Sequence, residues 1–129
     1  MAKTAGELAV ESVTRVKAGD REGWLALFDD SGFVQDPVGK SPTDPIGNGH
    51  IGKAAITKFY DTVVSANKGF DYTIRKIIPC GDEAAVLITF HLTTPEGKKR
   101  DLDAINLYKA TPEGKLYSLR SFWNLADLA

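Results

Sequence analysis

Hydrophobic positions follow two different rhythms along the chain. Over residues 4–18, Leu8, Ala9, Val13 and Val16 recur at helical spacing until Gly19-Asp20 breaks the run. Asp20 is placed to cap a second helix over residues 21–29, in which Trp24, Leu25, Leu27 and Phe28 bury one broad face. A short strand over residues 32–36 leads into a long loop. A third helix over residues 52–66 has the clearest period of all, carried by Ile56, Phe59, Tyr60, Val63 and Val64. The second half changes character. Residues 70–78, 83–93, 100–109 and 116–125 alternate or run apolar over strand lengths, punctuated by Gly81-Asp82, Pro95-Glu96-Gly97 and Thr111-Pro112-Glu113-Gly114.

Helices first and hairpin-linked strands afterwards predict an α+β fold: a curved antiparallel sheet wrapped by three N-terminal helices, in one domain spanning residues 1–129. A sheet curled against helices leaves a cone with an apolar interior, a natural small-molecule pocket if a few polar groups point inward.

Charge narrows the partners. With 16 basic and 17 acidic residues the net charge is −1, which argues against a nucleic-acid partner. The one local surplus, Lys98-Lys99-Arg100, follows a turn and reads as a solvated hairpin. A single cysteine, Cys80, precludes an internal disulfide framework. No apolar run approaches membrane-spanning length and the first residues lack an apolar signal core, so a cytoplasmic protein without a membrane partner is expected. His50 and His91, with no third ligand at a sensible spacing, do not predict a metal site. No nucleotide-binding glycine pattern or nucleophile elbow occurs, and no cofactor is expected.

The informative residues are polar ones in apolar phase. Asp36 shares its strand face with Val34, because side chains alternate, so its carboxylate is directed at the interior. Desolvation there would make it a better proton acceptor near neutral pH; the competing reading is a turn cap bonded to backbone N–H groups. Asp44, in the second Asp-Pro pair, has no apolar strand before it and reads as a turn residue. On the third of the C-terminal strands, Leu102, Ala104, Asn106 and Tyr108 share a face, and the Asn106 amide can either donate to a carbonyl oxygen or tie neighbouring elements together. Asp101 and Asp103 lie on the opposite face, as does His91 relative to Phe90 and Leu92. Ser12 belongs to the apolar stripe of the first helix, where a serine commonly bonds back to its own backbone. Tyr60 and Trp123 are core by pattern, yet either could wall a pocket.

The stretch GDREGWLALFDDSGFVQDPVGK, followed by GKAAITKFYD and a weaker echo in EGKLYSLRSFW, resembles the ketosteroid isomerase family and its relatives among small curved-sheet lyases, cyclases and hydrolases, within the SnoaL-like and nuclear-transport-factor-like superfamily. The resemblance implies a homodimer with a deep apolar pocket for a steroid-like ligand. It also implies that Asp36 moves a proton within a β,γ-unsaturated ketosteroid, giving the conjugated enone. In that family a tyrosine and a protonated aspartic acid stabilise the enolate oxygen. Here the corresponding positions hold Ser12 and Asn106, so the sequence departs from the pattern. Tyr60 matches a supporting tyrosine. The loop between Asp36 and Gly52 is longer than in the short bacterial isomerases.

The expected protein is therefore a steroid Δ-isomerase-like enzyme with Asp36 as base, Asn106 as donor to the enolate oxygen and Tyr60 as a second donor. Trp123, Phe59, Phe90, Val34 and Ser12 are the expected ligand-facing residues. The alternatives are a steroid or lipid carrier without efficient catalysis, and a cyclase, dehydratase or epoxide hydrolase on the same fold. The last needs an acid–arginine–acid set, which Arg100 with Asp101 or Asp103 supplies only if the strand register shifts by one.

Overall fold

The computed structural model describes residues 2–129. Helix α1 (Ala5–Lys17) opens on a reciprocal cap: Thr4 Oγ1 accepts from the Glu7 N–H at 3.2 Å, and the Glu7 carboxylate accepts from the Thr4 N–H at 2.9 Å. Its inward stripe buries Leu8, Ala9, Ser12 and Val13. Helix α2 (Arg21–Leu25) is capped by Asp20, which accepts from the Gly23 N–H at 2.9 Å.

Helix α2 stops four residues short of the expected end. The chain turns at Leu27, whose carbonyl accepts from the Leu116 N–H at 2.7 Å, and Phe28 already pairs with Leu116 in strand β1 (Phe28–Gln35). Trp24, Leu27 and Phe28 are all buried, but by two different elements, so a helical apolar pattern spans a helix end and a strand start. The loop that follows is closed by Asp44, whose carboxylate accepts from the N–H groups of Gly47 at 3.2 Å and Gly49 at 2.8 Å. Gly49 needs to be glycine: its φ is +90°, and an added Cβ would lie 2.8 Å from Gln35 Cγ. Strand β2 (His50–Ile51), which the hydrophobic pattern did not foretell, pairs with β1 at Val34 and Phe33. Helix α3 (Lys53–Phe59) continues into a π-helical turn over Tyr60–Val64, together covering most of the expected third helix.

Strands β3 (Gly69–Cys80), β4 (Glu83–Thr93), β5 (Lys99–Ala110) and β6 (Leu116–Phe122) form an antiparallel meander. The last strand ends earlier than expected and gives way to a 3₁₀ turn, Leu125–Leu128. The sheet order is β2-β1-β6-β5-β4-β3, and β1 runs parallel to β6. The sheet is thus mixed and unclosed rather than wholly antiparallel. A parallel pair needs a long crossover, and the loop, α3 and the meander supply it. Helices cover one face; Leu8, Trp24, Phe28, Val34, Ile56, Phe59, Val86, Ile88 and Tyr108 belong to the core between the layers. No helix among the described residues is long and apolar enough to cross a membrane.

Candidate functional site

A cavity of about 310 Å³ opens between α1, the π-helical turn and the concave sheet face. That is near the lower end of small-molecule sites, which run from roughly 300 to 1,000 Å³. Val13, Val16, Val63, Phe70, Phe90 and Leu102 are among its apolar walls, and Leu128 of the 3₁₀ turn also contributes.

Asp36 enters this cavity directly after β1. Because β1 and β6 run parallel, both deliver their C-terminal ends to the same rim; Gln35 pairs with Arg120, and the Val38 N–H donates to the Ser121 carbonyl at 2.9 Å. The indole N–H of Trp123 donates to Asp36 Oδ1 at 2.6 Å. The carboxyl keeps partial accessibility toward the cavity, yet protein surrounds it closely enough that the anion loses most of its hydration. This desolvation pushes its pKa up to about 6, against the opposing pull of the Trp123 hydrogen bond and of the nearby Ser121 hydroxyl.

A second polar group lies in the same cavity. Asn106, 3% exposed, donates from Nδ2 to Tyr108 Oη at 3.0 Å and accepts at Oδ1 from the Ser121 hydroxyl. Ser12, on α1, accepts at Oγ from the Trp24 indole N–H at 3.1 Å, and its hydroxyl lies beside the Tyr108 phenol. Burial pushes the Tyr108 pKa up to about 12; the charge of Asp36 acts in the same direction, while the bond from Asn106 and the nearby Ser12 hydroxyl oppose it. One carboxyl poised near neutrality and one phenol held protonated therefore line the same small cavity.

Of the residues singled out from the sequence, Asp36, Asn106, Ser12, Phe59, Phe90 and Trp123 line the cavity. Two do not. Tyr60 is buried against Trp24, with ring centroids 5.3 Å apart, is absent from the cavity lining, and feels the charges of Asp20, Arg21 and Asp61. It therefore stands outside the place expected for a second donor. Val34 shares the phase of Asp36 but is wholly buried in the core.

The register also decides the acid–arginine–acid alternative. Asp101 and Asp103 lie on the outer sheet face, where Asp101 Oδ1 meets His91 Nδ1 at 2.8 Å and Asp103 accepts from the Thr89 hydroxyl at 2.7 Å. Arg100 bonds the carbonyls of Lys99 and Ala129, and no arginine stands among the cavity-lining residues described. Tyr108, Ser121 and Trp24 are the polar contributors that reading the sequence missed. Tyr108 stood in the same phase as Asn106, which was the available signal, but an aromatic in an apolar stripe ordinarily reads as packing.

Comparison with known proteins places this geometry in context. The sequence profile of the SnoaL-like domain matches residues 9–119. The Mycobacterium tuberculosis protein RV0760c, solved in complex with estradiol-17beta-hemisuccinate, is 34% identical with a TM-score of 0.87, covering 95% of each chain. A Δ5-3-ketosteroid isomerase from Mycobacterium sp. is also 34% identical, with a TM-score of 0.86 and 95% coverage of each chain. The epoxide hydrolase/cyclase-like enzyme SalBIII is 25% identical, with a TM-score of 0.79 over 94% of this chain and 91% of its own.

Proposed function

The chain belongs to the SnoaL-like family, with ketosteroid isomerase-like relatives, and from that premise we propose that it is a steroid Δ-isomerase-like enzyme acting on a ketosteroid or similar enolisable polycyclic ketone. The observation that carries this reading is a carboxyl group with its pKa raised to about 6, set in an apolar cavity together with a buried polar cluster. A β,γ-unsaturated ketone has an acidic C–H bond between its carbonyl and its alkene. Asp36 takes that proton, and the electron pair delocalises onto the ketone oxygen as a dienolate. The polar cluster around Asn106 receives this oxygen. The same carboxyl then returns its proton to the far end of the former alkene, so one proton moves, nothing is oxidised and the product is the conjugated enone. A base with its pKa near the working pH suits both transfers.

The test is turnover of a β,γ-unsaturated ketosteroid, followed by the absorbance of the conjugated product. Asp36→Asn is expected to lower kcat by roughly 10²–10⁴-fold, the usual worth of a positioned base. Equal rates for the two proteins would remove Asp36 from the mechanism.

A second reading, steroid binding without turnover, draws on two neighbours. One is the mycobacterial complex with estradiol-17beta-hemisuccinate; the other is a computationally designed 17-OHP binder, 32% identical with a TM-score of 0.87. Saturable steroid binding by the wild type with no enone formed would favour it.

A further inference from the structure

The departure at the oxyanion positions has a structural answer on β5. An indole N–H can only donate, so Trp24 fills one acceptor site of Ser12 Oγ, whose hydroxyl stands beside the phenol. The Asn106 amide donates into the phenol oxygen, at 3.0 Å. Tyr108 thus accepts in the hydrogen bond it makes with Asn106, and none of the hydrogen bonds among the described residues has its own O–H as the donor. Tyr108 is 1% exposed yet lines the cavity, so the side on which that hydrogen can find a partner is the ligand's. Asn106 already serves two partners and keeps one N–H over. Its Oδ1 takes the Ser121 hydroxyl and one of its N–H bonds goes to Tyr108.

The geometry points to Tyr108 as the catalytic hydrogen-bond donor to the ligand's ketone or enolate oxygen, with Asn106 and Ser12 as positioning residues that fix its hydroxyl from behind. This rests on the enolising reading of Asp36 and replaces Asn106 as the direct donor. Chemically, a phenol suits the task. It stays protonated from the pH at which Asp36 becomes a base up to about 12, and it is a stronger donor than an amide or an aliphatic alcohol. Bonds into its oxygen polarise the outgoing O–H further, because successive hydrogen bonds reinforce one another. A phenol reaching from β5 thus takes over the role for which a tyrosine on α1 is expected, and the short Ser12 becomes a support. The ligand class follows: an oxygen that gains negative charge, on a flat apolar skeleton, presented to Tyr108 while Asp36 reaches the adjacent carbon.

The experiment compares wild type, Tyr108→Phe, Asn106→Ala, Ser12→Ala and Asp36→Asn by ketosteroid turnover and by affinity for equilenin, a phenolic steroid that mimics the enolate. Tyr108→Phe is expected to lower kcat by roughly 10²–10³-fold with little change in KM, as loss of an oxyanion donor does, and to weaken equilenin binding. Asn106→Ala and Ser12→Ala should show smaller losses that vanish when Tyr108 is already phenylalanine, since they act through it. Wild-type turnover and equilenin affinity in Tyr108→Phe would overturn the assignment, and losses confined to Asn106→Ala would return the role to the amide. The Asp36 reading fails separately, through an active Asp36→Asn, whatever Tyr108 does. If Tyr108→Phe fails to fold, the wild type suffices: the ¹³Cζ resonance of Tyr108 should move when equilenin binds, and a stationary resonance would sink the proposal.

Discussion

Asp36 gives up hydration to face a largely apolar cavity, and this has a pH signature. Its pKa is about 6 in the folded protein against an ordinary 3.8, so kcat/KM should rise with pH through about 6 and then level off, with Tyr108 still protonated up to about 12. Stability should run the opposite way. The folded state holds its proton to higher pH than the unfolded chain, so the carboxyl costs nothing below the unfolded value, costs progressively more as pH rises toward 6, and costs most above that. Asp36→Asn should therefore stabilise the protein near neutral pH by an amount on the order of 2–3 kcal/mol, with the gain gone by about pH 4. Urea midpoints measured at both pH values check this; a gain that is independent of pH would contradict it. Asp36 was legible in the sequence because its phase with Val34 put a carboxylate where an apolar side chain belonged. Tyr108 was not, because a tyrosine in an apolar stripe satisfies the packing pattern and its hydroxyl leaves no mark on periodicity.

Elements were legible where one period governed a whole segment, as in α1, β4 and β5. They were misjudged where two elements share one apolar run. Leu27 and Phe28 continue the helical spacing of Trp24, yet pairing with Leu116 makes the chain leave the helix first. Two-residue β2 is too short to have a period at all, and pairing with Val34 and Phe33 creates it. The third helix kept its apolar stripe, but only part of that stripe reaches the cavity: Phe59 and Val63 line it, whereas Tyr60 turns toward Trp24. Helix α3 itself is held by Ile56, which is fully buried in the core. Ile56→Ala should lower the unfolding free energy by about 2–5 kcal/mol, the range for truncating a buried aliphatic side chain. A denaturant midpoint within error of wild type would show that α3 is not anchored there.

At the scale of the molecule, helices then strands announced an α+β fold and a concave sheet, while the parallel β1–β6 pair could not be foreseen, because periodicity is blind to strand direction. The outer sheet face carries the homodimer implied by the family resemblance as a prediction. Leu87, Ile105 and Phe122 are register partners on three adjacent strands and are 43%, 48% and 40% exposed, forming one apolar stripe across β4, β5 and β6. Sedimentation should report twice the chain mass, and Ile105→Asp should return the monomer; a monomeric wild type would refute the prediction. The parallel pair has a further consequence, for the order in which the molecule comes together. Strands β3 to β6 can zip through successive short-range hairpins, but β1 waits for a partner that lies 87 residues beyond Asp36 where Trp123 meets it. Closing so long a loop is entropically slow compared with making a hairpin. Until β6 docks beside β1, Asp36 lacks the burial that raises its pKa, so the proposed base is expected to take shape only as the sheet is completed.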